Sequence, residues 1–175
     1  HSPDARDALG LLRSREFDLV ITMARVGDMD VKAFGSEAKR IVEGLPVVML
    51  SHNTRELATL SAGDGIDRIF VWTGDSKILL SICKLIEDER NVENDVRAGD
   101  VQVILLVEDS RRFYSAYLPL LYTQLVEQTT RLMGEGGNLH EKLLRLRARA
   151  KILLASDMSS AKSIIDRYHN NIIGI

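Results

Sequence analysis

The chain has 175 residues, 45% hydrophobic and 27% charged, with a formal net charge of -2. That composition suits one globular domain or two small ones with a real core, and it offers no basic excess for nucleic acid or an anionic membrane. Cys83, the only cysteine, excludes an internal disulfide and an all-cysteine metal cage. No apolar run nears the roughly 20 residues of a membrane span and the N-terminus has no signal-peptide layout, so a cytoplasmic setting is expected.

Taken in chain order, Ala5, Ala8, Leu9 and Leu12 recur at helical steps, and Ser2 and Pro3 suit a cap and first turn. A short strand is expected over 17–22, then a loop at Gly27-Asp28-Met29-Asp30, then a helix over 31–42 broken by Gly44-Leu45-Pro46. Val47-Val48-Met49-Leu50-Ser51 reads as a strand, Asn53 as the cap of a helix over 54–60, and Gly63-Asp64-Gly65 as a turn. A strand over 66–72 follows. Asp75 and Ser76 open a helix whose apolar side holds Ile78, Ile82, Cys83 and Ile86, which makes Cys83 a core residue. The polar run 87–100 holds the expected domain boundary, unless its charges coat a continuing helix.

Val101-Gln102-Val103-Ile104-Leu105-Leu106-Val107 reads as a strand buried on both faces, and it stops on Glu108 and Asp109. In a parallel sheet, ligands bind beyond the C-terminal strand ends, where this carboxylate pair suits a hydrated divalent cation. After Ser110 a helix is expected with an apolar stripe of Phe113, Tyr117, Leu120, Leu121 and Leu125, kinked near Ser115 by Pro119. Gly134-Glu135-Gly136-Gly137 stops it, lying between helices rather than in the strand-to-helix turn of a phosphate loop. Asn138 with Glu141 opens a short helix. Lys151-Ile152-Leu153-Leu154-Ala155 is a strand, 156–168 a helix and 171–175 a last strand, as in a piece of a longer chain. Alternation of strand and helix indicates α/β architecture with parallel sheets flanked by helices.

Two stretches share this grammar, and here a resemblance is visible. Phe17-Asp18-Leu19-Val20-Ile21-Thr22-Met23 through Met29-Asp30, then Val47-Val48-Met49-Leu50-Ser51 and Phe70-Val71-Trp72-Thr73, resembles the middle and end of a response-regulator receiver domain. Val103 to Ser110 resembles the first receiver strand with its acidic metal-binding pair. The resemblance implies two incomplete receiver units of flavodoxin-like fold in tandem. The first, 1–95, lacks its first strand; the second, 96–175, carries a helical insertion at about 128–150 and is truncated after its third strand. More narrowly, Val71-Trp72-Thr73-Gly74-Asp75 with Leu143-Leu144-Arg145-Leu146-Arg147-Ala148-Arg149 resembles the paired receiver-like region before a phosphoenolpyruvate/pyruvate-binding domain in bacterial signalling proteins.

Departures from the pattern set the expected chemistry. Met23 occupies the phosphoacceptor position and Trp72 the lysine position, while Ser51 keeps the switch-like hydroxyl. A thioether is no phosphoryl nucleophile and an indole supplies no charge, so the first unit is expected to be a pseudo-receiver without catalysis. Met23 and Trp72 are expected to fill the vacated acidic pocket. The second unit retains Glu108 and Asp109, which implies Mg²⁺ there, with a phosphoacceptor due just past Ile175.

The expected function is therefore a non-enzymatic signalling module. It acts by docking to other protein domains or to a second copy, through the helix over 75–90, and controls an output domain elsewhere. The alternative is a small-molecule-binding or enzymatic α/β domain using Glu108 and Asp109 in a strand-end crevice, though no glycine-rich turn or nucleophile-base pair accompanies them. Arg145, Arg147 and Arg149, with Lys142 and Lys151, read as a solvated surface, and His52, His140 and His169 lack metal-ligand spacing.

Overall fold

The computed structural model describes residues 4–52, 63, 65–132 and 149–175, and the chain divides into two compact units, His1–Asp75 and Ser76–Ile175.

The first unit begins with α1 (Ala5–Ser14), capped by Asp4, whose carboxylate accepts from Arg6 N–H at 2.7 Å. Asp4 therefore does the work expected of Ser2. Strand β1 (Val20–Met23) starts three residues later than expected, which leaves Phe17 39% exposed ahead of it. The expected loop closes instead into a hairpin of β2 (Arg25–Val26) and β3 (Met29–Asp30), turned by Gly27 at φ 60. Asp30 then caps α2 (Val31–Ile41) by accepting from Lys32 N–H at 3.0 Å.

Strands β4 (Val47–Ser51) and β5 (Arg68–Val71) follow, and the parallel sheet has the order β1-β4-β5. All five residues of β4 are buried, as its unbroken apolar run requires of a central strand. The core joins Leu9 and Leu12 of α1, Phe34 and Ala38 of α2, and Met49 and Ile69 of the sheet. Gly35 allows one close approach, because a Cβ there would stand 2.5 Å from the Gly65 carbonyl oxygen. The expected helix over 54–60 lies outside the described residues.

The second unit opens with α3 (Lys77–Gly99), which runs straight through the expected boundary near residue 95 and ends on Asp100 in the left-handed region at φ 48. Its buried positions, Ile78, Ser81, Ile82, Leu85, Ile86, Asp88 and Val92, keep helical spacing into the polar run, so the charges do coat a continuing helix. Cys83 is exposed rather than core, one step off that face. Strands β6 (Val103–Val107), β7 (Lys151–Ala155) and β8 (Ile172–Gly174) make a second parallel sheet in the order β7-β6-β8.

Helix α4 (Arg111–Leu132) passes through Pro119 as one helix. Ser115 and Thr123 hydroxyls bond the carbonyls of Arg111 and Pro119, four residues back, at 2.5 and 2.6 Å. Its inward side is Tyr114, Ser115, Leu118 and Tyr122, whereas Phe113, Tyr117 and Leu120 of the expected core stripe are 50%, 42% and 65% exposed. The apolar content of α4 is spread around the helix, so composition alone picked the wrong face. Residues 133–148, with the glycine-rich run and the short helix expected at 138, lie outside the described residues. Helix α5 (Met158–Tyr168) packs on β7 and β6, and α3 packs on β7 and α4. Val92, Val103, Leu153 and Tyr168 form one part of this core. Among the described residues no helix is long and apolar enough to cross a membrane.

Candidate functional site

Register builds the candidate site at the C-terminal edge of the second sheet. Val107 pairs with Ala155, and Glu108 N–H donates to the Ala155 carbonyl at 2.9 Å. The residues that leave β6 and β7 therefore emerge side by side. Glu108 and Asp109 line one cleft with Ser156, Asp157 and Met158, an open space of about 410 Å³. Glu108 is half-buried and Asp109 exposed.

Two of the three carboxylates also serve the local fold. Glu108 accepts from Ser110 N–H at 2.9 Å, just before α4, and Asp157 accepts from Ser160 N–H at 2.8 Å as the cap of α5. The cleft thus lies at two helix N-termini, where dipoles and unpaired N–H groups favour negative charge. Hydrogen bonds from the Ser160 backbone and side chain hold the Asp157 carboxyl below the usual range. These bonds turn the carboxylates toward their own helices. Consistently, no three His, Cys, Asp or Glu side chains converge as a metal cage among the described residues.

What remains is an open, hard-oxygen cleft. Mg²⁺ keeps several waters and takes one or two carboxylates, so Glu108 and Asp109 fit it by donor type, with Asp157 beside them. Asp157, which the receiver resemblance places only in the turn after the second strand, also belongs to the cleft, as does Met158. The matched ends of the two apolar strands were the available signal.

In the first unit Met23, Ser51 and Trp72 come to the C-terminal edge of the β1-β4-β5 sheet, since Met23 pairs with Leu50 and Ser51 with Val71. Ser51 is fully buried and its carbonyl accepts from Trp72 N–H at 2.9 Å. Trp72 meets His52 edge-on at 6.2 Å between ring centroids, and Met23 is 39% exposed. No carboxylate stands among these residues.

Among the described residues, a buried ion cluster lies at the opposite, N-terminal end of β7. Asp88 of α3 is fully buried, and its carboxylate takes a fork from Arg149, Nη2 to Oδ1 at 2.7 Å and Nη1 to Oδ2 at 2.9 Å. The Tyr122 hydroxyl and Ile152 N–H also donate to Oδ2, each at 3.0 Å. Lys151, equally buried, pairs with Asp95 at 2.8 Å and lies 3.7 Å from Asp88. Arg149 sits over the Tyr122 ring at 5.5 Å. Burial opposes the guanidinium charge, yet bonding and attraction to Asp88 outweigh it and hold Arg149 above the usual arginine range. Burial, aided by Asp88, pushes the Tyr122 phenol up.

Arg149 and Lys151 therefore belong to a buried cluster, not to the solvated surface expected of them. Their partners are 61 and 56 residues upstream (149 − 88 and 151 − 95), a separation that run-level reading of charge does not bridge. Helical phase alone places Asp88 on the face of Leu85 and Val92. No protein-family model matches this sequence, and no match is found among curated proteins.

Proposed function

We propose that the chain is a non-enzymatic signalling module of the receiver type, with a first unit that has lost the phosphoryl site and a second that binds Mg²⁺ at Glu108 and Asp109. The observation that carries this reading is the strand order β7-β6-β8. The first strand of the unit lies between the next two, so the chain winds to one side and then reverses, as in flavodoxin-like sheets. Ligand-binding crevices open at such a reversal, beyond the strand C-termini, where Glu108 and Asp109 stand. In the first unit, Met23 and Trp72 at the matching edge offer neither nucleophile nor cation. The module works through contacts with other protein domains or a second copy.

The experiment is a Mg²⁺ titration of the 175-residue chain followed by amide chemical shifts. Saturable movement centred on 108–110 and 156–157, abolished in Glu108→Gln/Asp109→Asn, supports the reading. Glutamine can still accept from Ser110 N–H, so the helix start survives the change. Shifts that stay still, or that persist in the double variant, remove the metal from the proposal. A hydroxylamine-labile phosphoryl adduct within 1–75 after acetyl phosphate treatment would overturn the account of the first unit.

A further inference from the structure

We propose that the outer face of α4 is a self-association surface, across which a second copy of the chain lays its own α4 antiparallel to the first. Tyr114, Ser115, Leu118 and Tyr122 point inward, so helical phase sets the opposite face: Phe113, Ala116, Tyr117 and Leu120, then Gln124 and Glu127. All six are exposed. The rings of Phe113 and Tyr117 already stack on each other, 6.0 Å between centroids and 11° between planes. They make a flat platform whose side chains have little freedom left to lose on docking. Taking about 200 Å² for a large side chain, Phe113, Tyr117 and Leu120 together hold roughly 300 Å² in water, a size at which an exposed apolar patch is often functional.

The ends of the face name the occupant. Arg112 stands beside its first turn and Glu127 at its far end, both exposed. A parallel copy would set Arg112 against Arg112 and Glu127 against Glu127, and would bring together the two Glu108-Asp109 pairs at the helix starts. An antiparallel copy crossing near Leu120 puts each Arg112 close to the other chain's Glu127, since they lie 8 and 7 residues to either side of the crossing (120 − 112 and 127 − 120). Each helix then also sets the positive end of its dipole beside the negative end of the other. Such a two-fold contact, the commonest in homo-oligomers, uses one patch twice. Two patches bury roughly 600 Å² of apolar surface, which with the polar rim falls at the low end of specific interfaces and gives a weak, reversible dimer. The inference rests on the signalling reading above, whose contacts it gives a partner, and it places the self-contact on α4 rather than on the helix expected over 75–90.

The test is sedimentation equilibrium of the 175-residue chain without Mg²⁺, at concentrations from ~1 μM to ~1 mM. A reversible monomer-dimer equilibrium is expected. Leu120→Glu puts two like charges at the crossing and is expected to abolish the dimer. Arg112→Glu and Glu127→Arg each place like charges at both ends of an antiparallel pair, so each is expected to weaken association about five- to tenfold. Combined in one chain, the two reversals face each other again and restore the original constant, which a parallel pair would not show. Circular dichroism checks that helix content is retained, and if Leu120→Glu loses it, Leu120→Gln is read in its place. A chain that stays monomeric throughout leaves the face to another kind of partner and overturns the proposal. So does a dimer unmoved by the change at Leu120, or single reversals that the double reversal does not rescue. Because no metal is present, a monomeric result is distinct from failure of the Mg²⁺ titration at Glu108 and Asp109.

Discussion

Asp88 shows how far one side chain can depart from the run it sits in. Removing its charge leaves Arg149 buried beside a neutral group, and Asp88→Asn is expected to cost about 3–5 kcal/mol, measured by urea unfolding. Replacing the whole ion pair with apolar groups of similar size is expected to cost far less, because it also removes the desolvation of both charges. Asp157 behaves in the opposite way, at the surface. Its carboxyl is held below the ordinary value, so its contribution is present above the unfolded value and fades as pH falls through the depressed folded one. Asp157→Asn should keep the cap of α5 and lose that acid-side fading, whereas Asp157→Ala should weaken α5 at neutral pH; thermal unfolding across acid pH separates the two.

At the scale of elements, propensity and packing can disagree in sign. Gly35 lies mid-helix in α2, where alanine is ordinarily favoured by about 1 kcal/mol. A Cβ there meets the Gly65 backbone, which cannot swing aside like a side chain, so Gly35→Ala is expected to destabilise the first unit by about 1–3 kcal/mol despite the better propensity. Trp72, the single tryptophan, reports that unfolding by fluorescence.

The same conflict explains what could be read in advance. Strands β4, β6 and β7 were legible because unbroken apolar runs admit few alternatives. The pair Glu108-Asp109 was legible because it ends such a run. The inward face of α4 was not, since its aromatic and leucine residues surround the helix and only packing chooses Tyr114, Leu118 and Tyr122 over Phe113, Tyr117 and Leu120. The third carboxylate of the cleft was equally hidden, because Asp157 becomes a neighbour of Glu108 only once β6 and β7 are paired.

For the whole molecule, the position of α3 decides where the chain can be divided. A chain of 76–175 retains Asp88, Val92 and the contacts of α3 with β7 and α4, while one of 96–175 loses them and leaves Arg149 without its carboxylate. The longer piece is expected to give a cooperative unfolding transition by circular dichroism and the shorter one to stay unfolded. The cluster also bears on the time course of folding. Asp88 reaches Tyr122, Arg149 and Ile152 across 34, 61 and 64 residues. Closing a loop of about 60 residues costs roughly 3.6 kcal/mol in chain entropy before any contact rewards it, so local helix and the adjacent β6-α4 segment can form first. Loss of the Asp88 charge should then accelerate unfolding while leaving the refolding rate nearly unchanged, which makes the cluster a brake on the way out of the native state.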